Sequence, residues 1–173
     1  MDKIFEKLGW MILFLMTFSF LLGYGVLKMD QKKEQILMME YEEEPEQYRN
    51  EYFGYLSFPN YHQYRFIMYG SPEQAVSQFK IGIFGEHPKN VPCDPFILVG
   101  HSRKNQFEIL HKLKIGDTVE LVKEKNQYQY HVIGKEVIEE SNLSFMKKLR
   151  NHMLILITCM NDNEKRLVVY CQI

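Results

Sequence analysis

The chain has 173 residues, of which 46% are hydrophobic and 14% aromatic, enough for one domain with its own core and short appendages. Its 21 basic and 22 acidic residues give a net charge of −1, so a large basic face for nucleic acid is not indicated. Cys93, Cys159 and Cys171 form neither a CxxC pair nor a metal-ligand spacing, and we expect no metal and no other cofactor.

The N-terminal region predicts a membrane anchor. Residues 8–27 are uncharged and apolar, a length that crosses roughly 30 Å of hydrocarbon as a helix. Trp10 and Tyr24 lie near the two ends, where interface aromatics are common. A cleaved signal peptide is the alternative, but no Ala-x-Ala site follows. We therefore expect a short segment, 1–7, followed by an uncleaved transmembrane helix, whose flanking lysines leave its orientation open.

Residues 28–52 predict a polar stalk or linker. The segment carries the acidic run Glu42–Glu44, and Pro45 interrupts it. Residues 31–41 contain no Gly or Pro and many good helix formers, so a helical stalk is expected there. A lid over a catalytic groove is the alternative, with apolar residues 36–39 supplying the contact.

The remaining residues, 53–173, predict a barrel of short strands. Apolar runs separated by turn residues indicate eight strands: Gly54–Phe58, Tyr64–Tyr69, Lys80–Phe84, Pro95–His101, Thr118–Lys123, Tyr128–Ile138, Met153–Cys159 and Arg166–Gln172. Helical spacing predicts a short helix over residues 107–113, and Pro72 opens another. Many short, evenly spaced strands favour a mainly-β fold, an eight-stranded barrel that is closed or nearly so.

Cys159 is the candidate nucleophile. It ends one predicted strand, and Arg166 opens the next after a short polar loop, so the two side chains should lie close together. A thiol beside a fixed positive charge suits covalent chemistry on a carbonyl group. A free thiol has a pKa near 8.5, so a neighbour must activate it or supply a proton shuttle.

His101 is the candidate proton shuttle. It follows the apolar strand that ends at Gly100, which places an imidazole at the rim of the sheet. The other five histidines lie among polar or amphipathic residues and are expected to be surface or packing residues. The alternatives for the three candidates are a buried cysteine, a solvated arginine and a turn histidine.

These residues resemble the sortase family. Residues 155–159 are similar to the Thr-Leu-x-Thr-Cys motif, with Ile155 in place of its first Thr. Gly100-His101 resembles the family's histidine motif, and Arg166–Val169 its arginine strand. Residues 54–59 resemble the Gly-x-Leu-x-Ile-Pro that opens sortase catalytic domains, so the likeness spans about residues 54–173. The short loop 160–165 leaves the class open, with class B or D considered.

The resemblance implies a membrane-anchored cysteine transpeptidase of the Gram-positive cell surface. Cys159 would attack an LPxTG-like sorting signal to form a thioester, His101 would transfer protons, and Arg166 would hold the oxyanion. Ile157 and Thr158 would contact the substrate, and the connection 139–151 would form one wall of its groove. The implied partners are surface proteins with C-terminal sorting signals and an amine of a cell-wall precursor or a pilin.

The resemblance also implies a cytoplasmic N-terminus, a single membrane span and an external catalytic domain. A catalytically inactive membrane-tethered barrel that acts as a binding module is the alternative. An L,D-transpeptidase is disfavoured because its Ser-His-Gly-Cys motif is absent: Ile157 and Thr158 precede Cys159. The sorting motif, the acceptor amine and the choice between wall anchoring and pilus assembly stay open.

Overall fold

A computed structural model of the protein describes residues 16, 17, 19, 32–78, 80–160 and 164–173. The chain divides into two compact units, Met1–Glu40 and Tyr41–Ile173. Residues 32–40 of the first unit are helical. The predicted anchor, 8–27, lies outside the described residues apart from 16, 17 and 19. In the part that is described, no helix has the length and apolar character needed to cross a bilayer.

The second unit is a closed barrel of eight strands, as predicted. The strands are β1 (Tyr52–Phe58), β2 (Gln63–Met68), β3 (Ile81–Phe84), β4 (Phe96–Val99), β5 (Thr118–Lys123), β6 (Asn126–Glu139), β7 (Met153–Cys159) and β8 (Lys165–Gln172). Two of them, β5 and β7, have the predicted bounds. The others differ by one or two residues at an end, as expected where apolar runs grade into turns.

The order of the strands around the barrel determines which strand ends lie next to one another. That order is β1-β2-β3-β4-β7-β8-β6-β5, with β1 and β5 closing the ring. Most neighbours are antiparallel, but β4 and β7 are parallel. The carboxyl ends of β4 and β7 therefore lie at the same rim, where antiparallel β8 begins.

Two hydrophobic layers form on the two faces of these strands. Alternate side chains of β7 enter the barrel interior, where Leu154 and Leu156 pack in the main core. The side chains that alternate with them, Ile155 and Ile157, face outward into a second cluster that includes Phe145. Phe145 lies on the short 3₁₀ helix Ser144–Lys148 of the β6–β7 connection, which therefore covers the outer face of β7 and β8.

The other helices are short. The predicted helix over 107–113 is a 3₁₀ helix, Glu108–His111, whose Ile109 and Leu110 are buried in the main core. The helix opened by Pro72 spans Pro72–Ser77 and links parallel strands β2 and β3. A parallel pair needs such a crossover, since a tight hairpin can join only antiparallel strands.

Part of the predicted linker packs on the barrel. Residues 41–43 are helical, and the helix Pro45–Tyr48 follows. Tyr41 is buried, with its ring edge-on to Tyr55 of β1 and to Phe66 of β2. Its hydroxyl oxygen accepts a hydrogen bond from the Glu124 backbone N–H at 3.1 Å. Residues 41–48 are thus an integral layer of the second unit.

Replacing Tyr41 with alanine should destabilise the barrel by about 3 kcal/mol, because a buried aromatic ring is lost. Urea unfolding of the full chain, monitored by far-UV circular dichroism, measures this change in the free energy of unfolding. Tyr41→Phe is the matched control, since it keeps the ring and loses only the bond to Glu124. Equal stability of Tyr41→Ala and the wild type would mean that the segment does not support the barrel.

Candidate active site

Cys159 lies at the end of β7 on the outer face of the barrel. Strand alternation places its side chain beside Ile157 and away from the main core. Cys159 is partly exposed and is not in a disulfide. Cys171 is fully buried in the main core, and burial raises the pKa of its thiol. Of these two thiols, Cys159 is therefore the one that a substrate can reach.

Arg166 is the direct register partner of Cys159 in the antiparallel pair of β7 and β8. The Cβ atoms of such partners are typically about 5 Å apart and point to the same face. The backbone N–H of Met160 donates to the carbonyl of Lys165 at 2.9 Å and closes the loop between the strands. The predicted closeness of thiol and guanidinium follows from this register.

The Arg166 guanidinium is held by acceptors on two sides. It donates to the Glu140 carboxylate and, at 3.2 Å, to the carbonyl of Lys165. The Arg166 side chain is 20% exposed, whereas Glu140 is 64% exposed. Glu140 therefore presents a solvated carboxylate to a guanidinium that is largely buried.

His101 reaches the same rim through the parallel pairing of β4 and β7. Val99 pairs with Ile157, and the Gly100 N–H donates to the Ile157 carbonyl at 3.2 Å. His101 and Cys159 each lie two residues beyond that paired position. The structure thus brings the predicted imidazole and thiol to the same level of two neighbouring strands.

Burial and two arginines favour the neutral form of the His101 imidazole. Partial burial lowers its pKa below the ordinary value of 6.5, and the positive charges of Arg103 and Arg166 lower it further. Arg166 can act on His101 because β7 alone separates β4 from β8, so both side chains lie at the same rim. A neutral imidazole can accept a proton from a thiol, as a general base must.

Gly100 allows the chain after His101 to fold tightly. A Cβ atom at this position would lie 3.1 Å from the ring of Phe107, which is fully buried. The Phe107 N–H donates back to the His101 carbonyl at 2.9 Å. The Gly-His pair therefore reflects a close approach of the chain itself to residue 100.

The two predicted substrate contacts lie on opposite faces of β7. Ile157 faces outward and lines a cavity beside Arg166. Thr158 is 1% exposed, and its hydroxyl has no hydrogen-bond partner among the described residues. A substrate contact by Thr158 stays a prediction, and the burial of its side chain restricts it to the backbone groups.

An apolar cavity of about 170 Å³ opens next to Arg166. The β6–β7 connection forms one wall of this cavity through Leu143 and Phe145. Leu143 is 55% exposed and Phe84, on the other side, is 40% exposed. The full lining is Phe84, Val99, Ile138, Glu140, Leu143, Phe145, Ile157 and Arg166.

Glu140, Phe84 and Val99 were not predicted as site residues from the sequence. Glu140 approaches Arg166 because β6 pairs with β8, with Ile138 opposite Arg166. That pairing joins segments that are distant along the chain, so no local sequence pattern predicts it. The apolar run of β4 indicated that Val99 is in a strand but not which face of the strand borders the site.

Releasing Arg166 from Glu140 should change substrate affinity. In Glu140→Gln the charge-assisted bond is weakened, so the guanidinium is freer to bind a substrate carbonyl, and KM should fall about 2- to 5-fold. Steady-state kinetics with a peptide substrate measures this change. Glu139→Gln is the matched control, since that neighbouring exposed carboxylate does not line the cavity. A higher KM would instead make Glu140 a support for Arg166.

The barrel fold, with Cys159 partly exposed at the end of β7, defines the class of the protein: a β-barrel protein suited to covalent chemistry at a thiol. The chain belongs to the sortase family, a family of cysteine transpeptidases, because a family model described as Sortase domain matches residues 57–173. No curated protein sequence matches the chain significantly.

Solved sortase structures share the fold. A pilus-related sortase C of Group B Streptococcus is 27% identical, with a TM-score of 0.59 over 70% of this chain and 66% of that one. Sortase C1 from Streptococcus agalactiae is 24% identical, with a TM-score of 0.60 over 70% and 66%. Sortase A from Corynebacterium diphtheriae is 18% identical, with a TM-score of 0.61 over 70% and 60%. The chain thus spans about two thirds of the length of these relatives, and the last two likenesses show the fold alone.

Proposed function

We propose that the protein is a membrane-anchored transpeptidase that cleaves an LPxTG-like sorting signal at Cys159 and transfers the acyl group to an amine. The observation that carries this proposal is the rim shared by β4, β7 and β8, which gathers His101, Cys159 and Arg166. Family membership supports it, since sortases act through a thioester.

In the first half-reaction, the Cys159 sulfur attacks the scissile carbonyl carbon while His101 takes up the thiol proton. Arg166 donates hydrogen bonds to the carbonyl oxygen as negative charge develops on it. The tetrahedral intermediate collapses when the C–N bond breaks, and the imidazolium of His101 gives its proton to the leaving amine. The product is a thioester on Cys159.

In the second half-reaction, an acceptor amine attacks the thioester carbonyl. His101 removes a proton from the amine, and the Cys159 sulfur leaves and is protonated again. A new amide bond replaces the thioester, so the sequence is a ping-pong reaction. The cavity beside Arg166 supports this scheme, since Leu143, Phe84 and Ile157 offer an apolar binding surface for a side chain of the sorting signal.

The acceptor amine belongs to a cell-wall precursor or to a pilin. The likeness to a pilus-related sortase C supports the pilin, though the likeness to a sortase A fold leaves the wall precursor open. We place the protein in the cell membrane as a single-pass protein, with residues 8–27 as the anchor and the barrel outside. The length and apolar character of that stretch support the anchor.

Mass spectrometry of the full chain in detergent micelles tests the proposal. The protein is incubated with a panel of LPxTG-like peptides, with and without triglycine or a lysine-containing pilin peptide. Cleavage between Thr and Gly with an acyl adduct on Cys159 is the expected result, and the peptide that reacts identifies the motif. Folded protein that forms neither adduct nor product across the panel would favour the inactive binding barrel.

A further inference from the structure

We infer that Arg65 is a positioning residue for His101, because its guanidinium holds the loop that follows the histidine. This inference rests on the proposed function, since it concerns how that reaction's proton shuttle is kept in place. The loop comprises residues 102–107 and is called the histidine loop below. No pattern in the sequence marked Arg65, which lies in β2, far from the histidine along the chain.

Arg65 is buried, with only 5% of its surface exposed. Its Nε donates to the Gln106 carbonyl at 2.7 Å, and its Nη2 donates to the carbonyl of Lys104. Two further bonds, both at 2.6 Å, reach the carbonyl of Tyr64 and the side-chain oxygen of Gln63 on its own strand. One guanidinium thus fastens two backbone oxygens of the histidine loop to the barrel.

The inner end of the histidine loop is also fixed by Gln106. This side chain is fully buried, and its amide nitrogen donates to the Lys80 carbonyl at 2.6 Å. The loop is therefore tied to β2 through Arg65 and, through Gln106, to Lys80, the residue just before β3. Burial makes these bonds costly to lose, because a desolvated carbonyl or amide would then be unpaired.

The fixed loop bonds directly to the backbone of His101. The His101 carbonyl accepts the N–H groups of Arg103 and Phe107, both at 2.9 Å. Arg103 and Phe107 flank the two residues whose carbonyls Arg65 holds. Any shift of residues 104–106 therefore moves both donors to His101, and with them the rim position of the imidazole.

Only arginine can make this set of bonds. Its rigid planar fork reaches several carbonyls at once, whereas a lysine ammonium is a single point of contact on a flexible stem. Arg103 and Arg166 are the charges that lower the His101 pKa, and Arg65 is not among its causes. Arg65 therefore acts on His101 by fixing the position of the loop backbone and not through the electrostatic effect of its own charge.

The test compares Arg65→Lys with wild type in the full chain. A looser loop should let water reach the imidazole, so the pKa of His101 should rise toward 6.5, measured by NMR titration of its C2 proton. The imidazole would also lose its alignment, and a misplacement of about 1 Å costs up to ~100-fold in rate. We expect kcat to fall about 10- to 100-fold with KM within about 3-fold. Labelling of Cys159 by a methanethiosulfonate reagent should stay within about 3-fold of wild type.

Val119→Ala is the control for lost stability, since Val119 is fully buried in β5, a strand that pairs with β1 and β6 and not with β4. If Arg65→Lys lowers Tm as Val119→Ala does and leaves kcat and the His101 titration unchanged, Arg65 is only a structural residue. Should Arg65→Lys fail to fold, hydrogen exchange of the wild type keeps the inference testable: rapid exchange of the Arg103 and Phe107 amides, which donate to the His101 carbonyl, would show that the loop is not fixed and would overturn the inference.

The titration separates this inference from the proposed function. If wild-type protein shows no transpeptidation, the proposed reaction fails, and the NMR titration still reports whether Arg65 controls the environment of His101. If wild type is active and the titration does not move in Arg65→Lys, the positioning role fails while the reaction stands.

Discussion

Cys159→Ala should abolish the acyl adduct and reduce transpeptidation by about 10⁴-fold or more, because the nucleophile is removed. The substitution deletes one partly exposed sulfur at the end of β7 and leaves the neighbouring core intact. The free energy of unfolding should therefore change by less than about 1 kcal/mol. Intact-protein mass spectrometry after incubation with a reactive peptide measures the adduct.

Cys93→Ala is the matched control, since Cys93 is also a free and partly buried cysteine and lies outside the site. It should keep the adduct at the wild-type level. An adduct that persists in Cys159→Ala and disappears in Cys93→Ala would move the nucleophile to the other thiol and refute the proposed site.

His101→Gln should lower kcat/KM by about 10²- to 10⁴-fold, the range for loss of a general acid–base group. Glutamine keeps a polar side chain of similar size but cannot carry a proton between the thiol and the amine. Continuous cleavage of a quenched fluorescent sorting-signal peptide measures the loss. His131→Gln, at an exposed histidine of β6, should retain wild-type activity.

The pKa of His101 gives this prediction a second readout. Because burial, Arg103 and Arg166 all disfavour the charged form, the C2 proton of His101 should titrate below pH 6.5. Arg166→Gln removes one of the positive charges, so in that variant the pKa should rise. A His101 that titrates above 6.5 in the wild type would show that the imidazole is solvated or paired with an anion, contrary to the geometry of the rim.

Much of the barrel could be predicted from local pattern. The apolar, β-branched runs of β5 and β7 predicted their bounds, because a buried strand needs these side chains along its whole length. Alternation along β7 also implies that Ile157 and Cys159 share one face, and Ile157 does lie in the outward cluster. The same alternation implies that Thr158 faces inward, where the structure has it.

The non-local pairings could not be predicted in the same way. The parallel pairing of β4 with β7 joins segments separated by β5 and β6, and no residue of either strand encodes its partner. Arg65 shows the limit most clearly, because an arginine is usually solvated and this one is buried by a loop that arrives from elsewhere in the chain. Glu140 reaches Arg166 only through the pairing of β6 with β8.

The route by which the chain enters the barrel matters for attaching the protein to a solid support. Tyr41 packs on β1 and β2, and β1 lies four strands from β7 in either direction around the ring. Residues 41–48 therefore pack on the wall of the barrel opposite the strand that carries Cys159. A bead or electrode coupled at an exposed residue of this segment, such as Gln47, should leave the thiol open to acceptors as bulky as whole proteins.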